Sequence, residues 1–127
     1  MTPQTARLLC AMAEYDGDAG RIHHFVKVHG FACAIASLEG VDEETQFVLE
    51  TAALVHDIGI RNCLEKYGSD RGPLQEQEGP AEAEAMLRAV GGYTDRQIER
   101  VKYLVGHHHT YTHIDGLDYQ ILVEADF

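Results

Sequence analysis

The sequence predicts an all-α fold, a compact bundle of five to six helices in a single domain spanning residues 1–127. Three observations predict it. Apolar residues recur three and four positions apart through most of the chain. Glycine, proline and capping residues cut the chain into helix-length pieces. Only residues 119–123 have clear strand propensity, and a lone strand has nothing to pair with.

The elements follow in order. Residues 3–15 read as a short amphipathic helix, closed by Asp16-Gly17-Asp18-Ala19-Gly20. Residues 21–38 read as a long helix ending near Gly40. Asp42 is a suitable N-cap for the next helix, with Glu43 and Glu44 in its first turn, where negative charge is favoured. Gly59 falls just past its end, a common helix stop. Residues 60–77, polar and carrying Gly68, Gly72 and Pro73, read as one long loop with a helical turn near residues 62–67, and loops of that length often serve as lids. A helix is expected to start at Gly79-Pro80 and to stop at Gly91-Gly92. Thr94 and Gln97 have capping-box spacing, so a helix runs from 95 to about 106. The all-helical context makes 118–127 a helix despite its β-prone side chains.

The 127 residues, 45% of them hydrophobic, suit one ordinary globular domain with its own core. A net charge of −11 disfavours nucleic acid polymers and anionic membranes as partners. The chain shows no apolar run of bilayer length and no signal-peptide pattern, so the expectation is a soluble cytoplasmic protein acting on a small molecule. A small helical domain also has surface enough for a homodimer, though no residue singles out an interface. Cys10, Cys33 and Cys63 are odd in number and form no Cys-x-x-Cys pair, which argues against a disulfide framework and a zinc knuckle. They are expected to be small buried residues. Eight histidines are the more informative count, because several cluster.

The polar residues that fall on apolar stripes carry the functional argument. His24 lies four residues before Val28 and heads the stripe Val28, Phe31, Ile35. His56 continues the stripe Leu49, Ala52, Ala53, with Asp57 on its shoulder. His108 continues Ile98, Val101, Val105 if the helix runs on past Gly106, and is flanked by His107 and His109. Asp126 follows Leu122 and Val123 by four and three positions. A single inward histidine is more often a hydrogen-bonded core residue than a ligand. Four segments each aiming an imidazole or a carboxylate at one core are different, because buried charge is costly unless paired or bound to metal. His23, His29 and His113 are expected to be structural or exposed.

These residues also carry a family resemblance. The run Ala52-Ala53-Leu54-Val55-His56-Asp57-Ile58-Gly59 resembles the defining element of the HD-domain phosphohydrolase superfamily. Upstream, Arg21-Ile22-His23-His24-Phe25-Val26-Lys27-Val28 is similar to that family's first-ligand helix. Downstream, Leu122-Val123-Glu124-Ala125-Asp126 is similar to its last-ligand element. The resemblance covers nearly the whole chain from residue 21. It implies an all-α domain with a divalent metal held by His24, His56, Asp57 and Asp126, and hydrolysis of a nucleotide or other small phosphate ester. It also implies that the helix bearing Asp126 continues beyond residue 127.

The run His107-His108-His109 resembles the paired histidines of dinuclear members, which makes these residues and Glu78 candidates for a second metal or a phosphate contact. The sequence departs from the dinuclear pattern at Gln75-Glu76-Gln77-Glu78-Gly79-Pro80, where such members carry another histidine. Ile60-Arg61 stands where a lysine is common, and the Gly-Tyr-Pro element of cyclic-dinucleotide phosphodiesterases is absent.

Imidazole and carboxylate together suit Mn, Fe, Ni, Co or Zn, and Mg if water completes its shell. The expected chemistry is metal-assisted hydrolysis, with Asp57 ligating metal and orienting water and His108 as a candidate general acid. Arg61, Lys66 and Arg71 are candidate phosphate contacts. The alternatives are a dinuclear iron oxygenase of the same superfamily and a non-catalytic metal- or ligand-binding regulatory domain.

Overall fold

The computed structural model describes residues 1–127. It contains seven helices: α1 (Pro3–Asp16), α2 (Ala19–Glu39), α3 (Glu43–Val55), α4 (Ile60–Tyr67), α5 (Gly72–Val90), α6 (Asp95–Val105) and α7 (Leu117–Asp126). The expected all-α bundle is the architecture found. Side chains of Thr2, Asp18, Asp42 and Thr94 each accept a hydrogen bond from the backbone N–H three residues on, and Thr94 with Gln97 forms the expected capping box.

The segment 60–77 differs from the loop expected of it. It forms α4 and the first turns of α5. Pro73 sits at the start of α5, where its missing N–H costs nothing. Gln75, Gly79, Ala83 and Leu87, all buried, then make one inward line at intervals of four. That line carries the helix through Pro80, so Gly79-Pro80 lies inside α5 and does not begin it. Gly79 is required by packing: a Cβ there would stand 2.7 Å from Val105 Cγ1 of α6.

The buried face of α2 is also rotated from the expected stripe. Phe25, Val28, Ala32 and Ala36 are buried, whereas Phe31 is 57% exposed. Of the cysteines, Cys63 is buried in α4, Cys33 is half-buried and Cys10 is exposed.

Every residue of α3 from Val48 to Val55 is buried. A helix buried on all sides belongs at the centre of a bundle. Accordingly α3 packs against α1, α2, α6 and α7, while α5 packs on α6, α4 and α1. His56 is the C-cap residue of α3, His108 lies three residues beyond the last residue of α6, and Asp126 is the last residue of α7. The negative ends of three helix dipoles therefore meet at one place, which favours a cation there.

Candidate metal centre

The side chains of His24, His56, Asp57 and Asp126 converge. His24 Nε2 lies 2.9 Å from Asp126 Oδ1, 3.2 Å from Asp57 Oδ2 and 3.2 Å from His56 Nε2. His56 Nε2 lies 3.3 Å from Asp57 Oδ2 and 3.3 Å from Asp126 Oδ1. Ligands bonded at about 2.0–2.2 Å to one ion stand about 3.0–3.5 Å apart, so the His24, His56 and Asp57 donor atoms, all within 4.8 Å of one another, are spaced to share a cation, with Asp126 Oδ1 beside both imidazoles.

Local structure fixes each donor. His56 Nδ1 donates to the Ala53 carbonyl oxygen at 2.7 Å. A carbonyl only accepts, so Nδ1 carries a proton, and the ring when neutral presents its Nε2 lone pair to the cluster. Lys27, one turn along α2 from His24, donates from Nζ to the carbonyl oxygens of Ala125 (3.1 Å) and Asp126 (3.3 Å). It pins the end of α7 to α2 and so places Asp126. The His24 side chain is 34% exposed, which opens the cluster to solvent on that side.

The electrostatics match cation binding. Burial works against a charged His56 ring, but the Asp57 and Asp126 carboxylates outweigh it and raise the pKa to about 10. Burial likewise disfavours ionised Asp57, and the His56, His108 and His24 rings hold its carboxyl far below the usual range. Asp126 is lowered too, with His56 overcoming burial.

Asp57 faces two ways. Its Oδ2 meets His24 and His56, and its Oδ1 lies 3.3 Å from His108 Nε2. His108 Nδ1 donates to the Val105 carbonyl oxygen at 2.7 Å, and its buried Nε2 has no hydrogen-bond partner. An orphaned buried nitrogen aimed at a carboxylate fits a ligand or proton-handling role better than a packing role. His109 joins Asp57 and His108 in a second group of donors close enough to share an ion. Its Nε2 donates to Gln75 Oε1 at 3.0 Å, leaving Nδ1 as the free lone pair. Burial and the neighbouring His108 lower its pKa.

Other candidates are turned away from the cluster. His107 Nδ1 donates to the Tyr103 carbonyl oxygen at 2.7 Å, and its ring stacks on Tyr103 with centroids 4.1 Å apart. Glu78 accepts from Lys66 Nζ (2.9 Å) and Tyr67 Oη (3.0 Å), which accounts for both Glu78 and Lys66. Arg61 donates to the Tyr15 carbonyl oxygen and lies over the Tyr15 ring. Arg71 is exposed at the start of α5, next to Gly72, whose Cβ would touch the His109 ring at 3.2 Å. Of the three candidate cations, Arg71 is thus the one whose chain neighbour adjoins the histidine turn. Of the histidines expected to be structural or exposed, His23 and His113 are exposed and His29 is buried against Glu50.

Several supporting residues have no signal in the pattern of apolar stripes. Glu76 accepts from the His109 backbone N–H (3.1 Å) and from Thr110 Oγ1, and Tyr119 Oη donates to the His107 carbonyl oxygen at 2.9 Å. Together they hold the 106–110 turn. Arg100 grips Asp118 through Nε (2.9 Å) and Nη2 (2.7 Å) and also binds Asp115, tying the following loop to α6. Comparison of the chain with models of known protein families, with curated proteins and with solved structures finds no match.

Proposed function

We propose that the chain is a metal-dependent hydrolase of small phosphate esters, its divalent cation held by His24, His56, Asp57 and Asp126. The observation that carries this reading is the His56 tautomer. With Nδ1 bound to a carbonyl, a neutral ring aims a lone pair at two carboxylate oxygens that also offer only lone pairs. A proton or a metal ion must stand between them. A donor set of two imidazoles and two carboxylates suits Mn, Fe, Co, Ni or Zn, and Mg with added water.

A divalent cation bound there would supply charge neutralisation at a phosphoryl oxygen and lower the pKa of a coordinated water. The chain's own residues do the rest. Asp57 accepts a hydrogen bond from an attacking water and fixes its direction. His108, set against the other oxygen of Asp57, donates a proton to the leaving oxygen once its ring is charged. Arg71, free of any ion pair and next to Gly72, meets the phosphate at the solvent side. The acidic surface and the three helix C-termini repel an anionic substrate, so phosphate binding depends on the cation.

A second reading rests on the group Asp57, His108 and His109. A second ion there would share Asp57 with the first, and two irons would shift the chemistry towards oxygen activation.

The test is a screen of nucleoside mono- and triphosphates and simple phosphomonoesters with each divalent metal, alongside metal content per chain. Phosphate release that follows metal loading and is lost in His56→Ala is the expected result. Folded chain that takes up no metal would sink the proposal, and two irons per chain without phosphatase activity would favour the second reading.

A further inference from the structure

The antiparallel packing of α2 on α3 creates a second constellation. Five residues along α2 from His24 is His29, and six residues back along α3 from His56 is Glu50. His29 Nε2 lies 3.0 Å from Glu50 Oε1, and Cys33 Sγ lies 3.6 Å from the same nitrogen. Cys33 is four residues after His29, so both share one face of α2. Donor atoms of all three lie within 4.8 Å of one another.

The N-to-S separation matches the edge of a coordination tetrahedron, and the N-to-O separation, at hydrogen-bond distance in the metal-free chain, is somewhat shorter than one. For bonds of about 2.1 Å to nitrogen and oxygen and about 2.3 Å to sulfur, donors stand about 3.4 Å (N to O) and about 3.6 Å (N to S) apart. Gln46 Nε2 donates to Glu50 Oε2 at 3.1 Å, which holds the carboxylate with Oε1 towards the imidazole, as outer partners of metal ligands commonly do. Glu50 is only 4% exposed and has no lysine or arginine partner. A carboxylate so buried is costly unless a cation faces it. Of the three donors, Glu50 lines a cleft of about 580 Å³, together with Gln46 and Phe47.

We propose that His29, Cys33 and Glu50 form a second cation site, separate from the His24–His56–Asp57–Asp126 cluster, for a borderline divalent ion such as zinc. One imidazole, one thiolate and one carboxylate hold the ion, and water from the cleft fills the remaining position. The thiol proton leaves to solvent as the sulfur–metal bond forms. The site clamps α2 to α3 between the first cluster and the start of α3.

The experiment is a Co²⁺ titration of the metal-free 127-residue chain, followed by thiolate-to-cobalt charge-transfer absorption in the near ultraviolet. Wild type, His56→Ala and Cys33→Ser are compared, with circular dichroism as the check on folding. Wild type and His56→Ala are expected to show the band, saturating at one thiolate-bound ion per chain, and Cys33→Ser to lack it. Gln46→Ala is expected to keep the band but weaken affinity about 10- to 100-fold. Retention of the band in His56→Ala separates this site from the cluster of the proposed hydrolase, and its loss there would overturn that separateness. Absence of the band in wild type, or its survival in Cys33→Ser through Cys10 or Cys63, overturns the proposal. Should Cys33→Ser fail to fold, Zn²⁺ protection of the three thiols from alkylation in wild type decides the matter: Cys33 alone is expected to be protected.

Discussion

His56 Nδ1 donates to the Ala53 carbonyl oxygen at 2.7 Å, while its Nε2 stands 3.3 Å from both Asp57 and Asp126. The backbone of α3 thus favours the tautomer that leaves Nε2 as the atom available to a cation. His56→Ala removes that atom and leaves Asp126 facing His24 and Asp57 facing His24 and His108. Metal affinity is expected to fall by more than the roughly 10- to 100-fold typical of losing an outer-shell partner. Metal content by plasma mass spectrometry checks it, with circular dichroism to establish folding. A folded variant with wild-type metal content would remove His56 from the site.

The same ring predicts opposite pH responses in metal-free and metal-loaded chains. In the metal-free chain its pKa is raised from 6.5 to about 10 by Asp57 and Asp126, against the effect of burial. A histidine raised on folding stabilises fully below its unfolded pKa, and that contribution is lost as pH rises through the folded value. The melting temperature of metal-free protein should therefore fall between about pH 6.5 and 10, and His56→Gln should flatten the fall. A metal ion displaces that proton, so metal affinity should rise over the same interval. Thermal melts and metal titrations across this range measure both slopes. Equal pH dependence in wild type and His56→Gln would show that another group controls it.

The bundle and the heart of the site were legible for one reason. His24, His56 and Asp126 occur where an apolar residue would keep the helical period, whereas α6 stops at Val105 and His108 is turned inward by the bend that follows it. Caps such as Asp42 and Thr94 have local signals of equal clarity. Residues 60–77 misled because Gly68, Gly72, Pro73, Gly79 and Pro80 read as breaks. The line Gln75, Gly79, Ala83, Leu87 was present, but glycine and glutamine do not register as an apolar stripe. The His29–Glu50 pair was hidden because two polar residues satisfying each other in the core leave no mark on periodicity. For the same reason His107 could not be told from His108. Their difference is set by Tyr103 and Tyr119, contacts that only the folded chain creates.

His108 offers a test that separates chemistry from packing. Its buried Nε2 has no hydrogen-bond partner, so the ring is poorly served as a structural element. His108→Leu, of similar size and without polar atoms, is expected to keep or raise the melting temperature. It should retain the metal of the His24–His56 cluster and lose phosphatase activity by about 10²- to 10⁴-fold, the usual range for a general acid. Unchanged turnover in a metal-loaded variant would mark His108 as a core residue.

Gly59 should tolerate no side chain, for a reason unrelated to its backbone angles. Its φ of −72° suits any residue. A Cβ there, however, would stand 2.9 Å from the Gly79 nitrogen and 3.0 Å from the Gly79 Cα. Both are backbone atoms of α5 and cannot rotate aside. Gly59→Ala is expected to cost about 1–3 kcal/mol, as overpacking does, and to push α5 away from the turn bearing Asp57. Because α5 carries Gln75, the hydrogen bond that orients His109 should weaken as well. Gly30→Ala supplies the contrast. Gly30 lies within α2, with nothing within 4 Å of its would-be Cβ, so alanine there should stabilise by roughly 0.5–1 kcal/mol. Urea denaturation of both variants measures the two effects. Equal stability of Gly59→Ala and wild type would mean that α5 does not approach the Asp57 turn as closely as 2.9 Å requires.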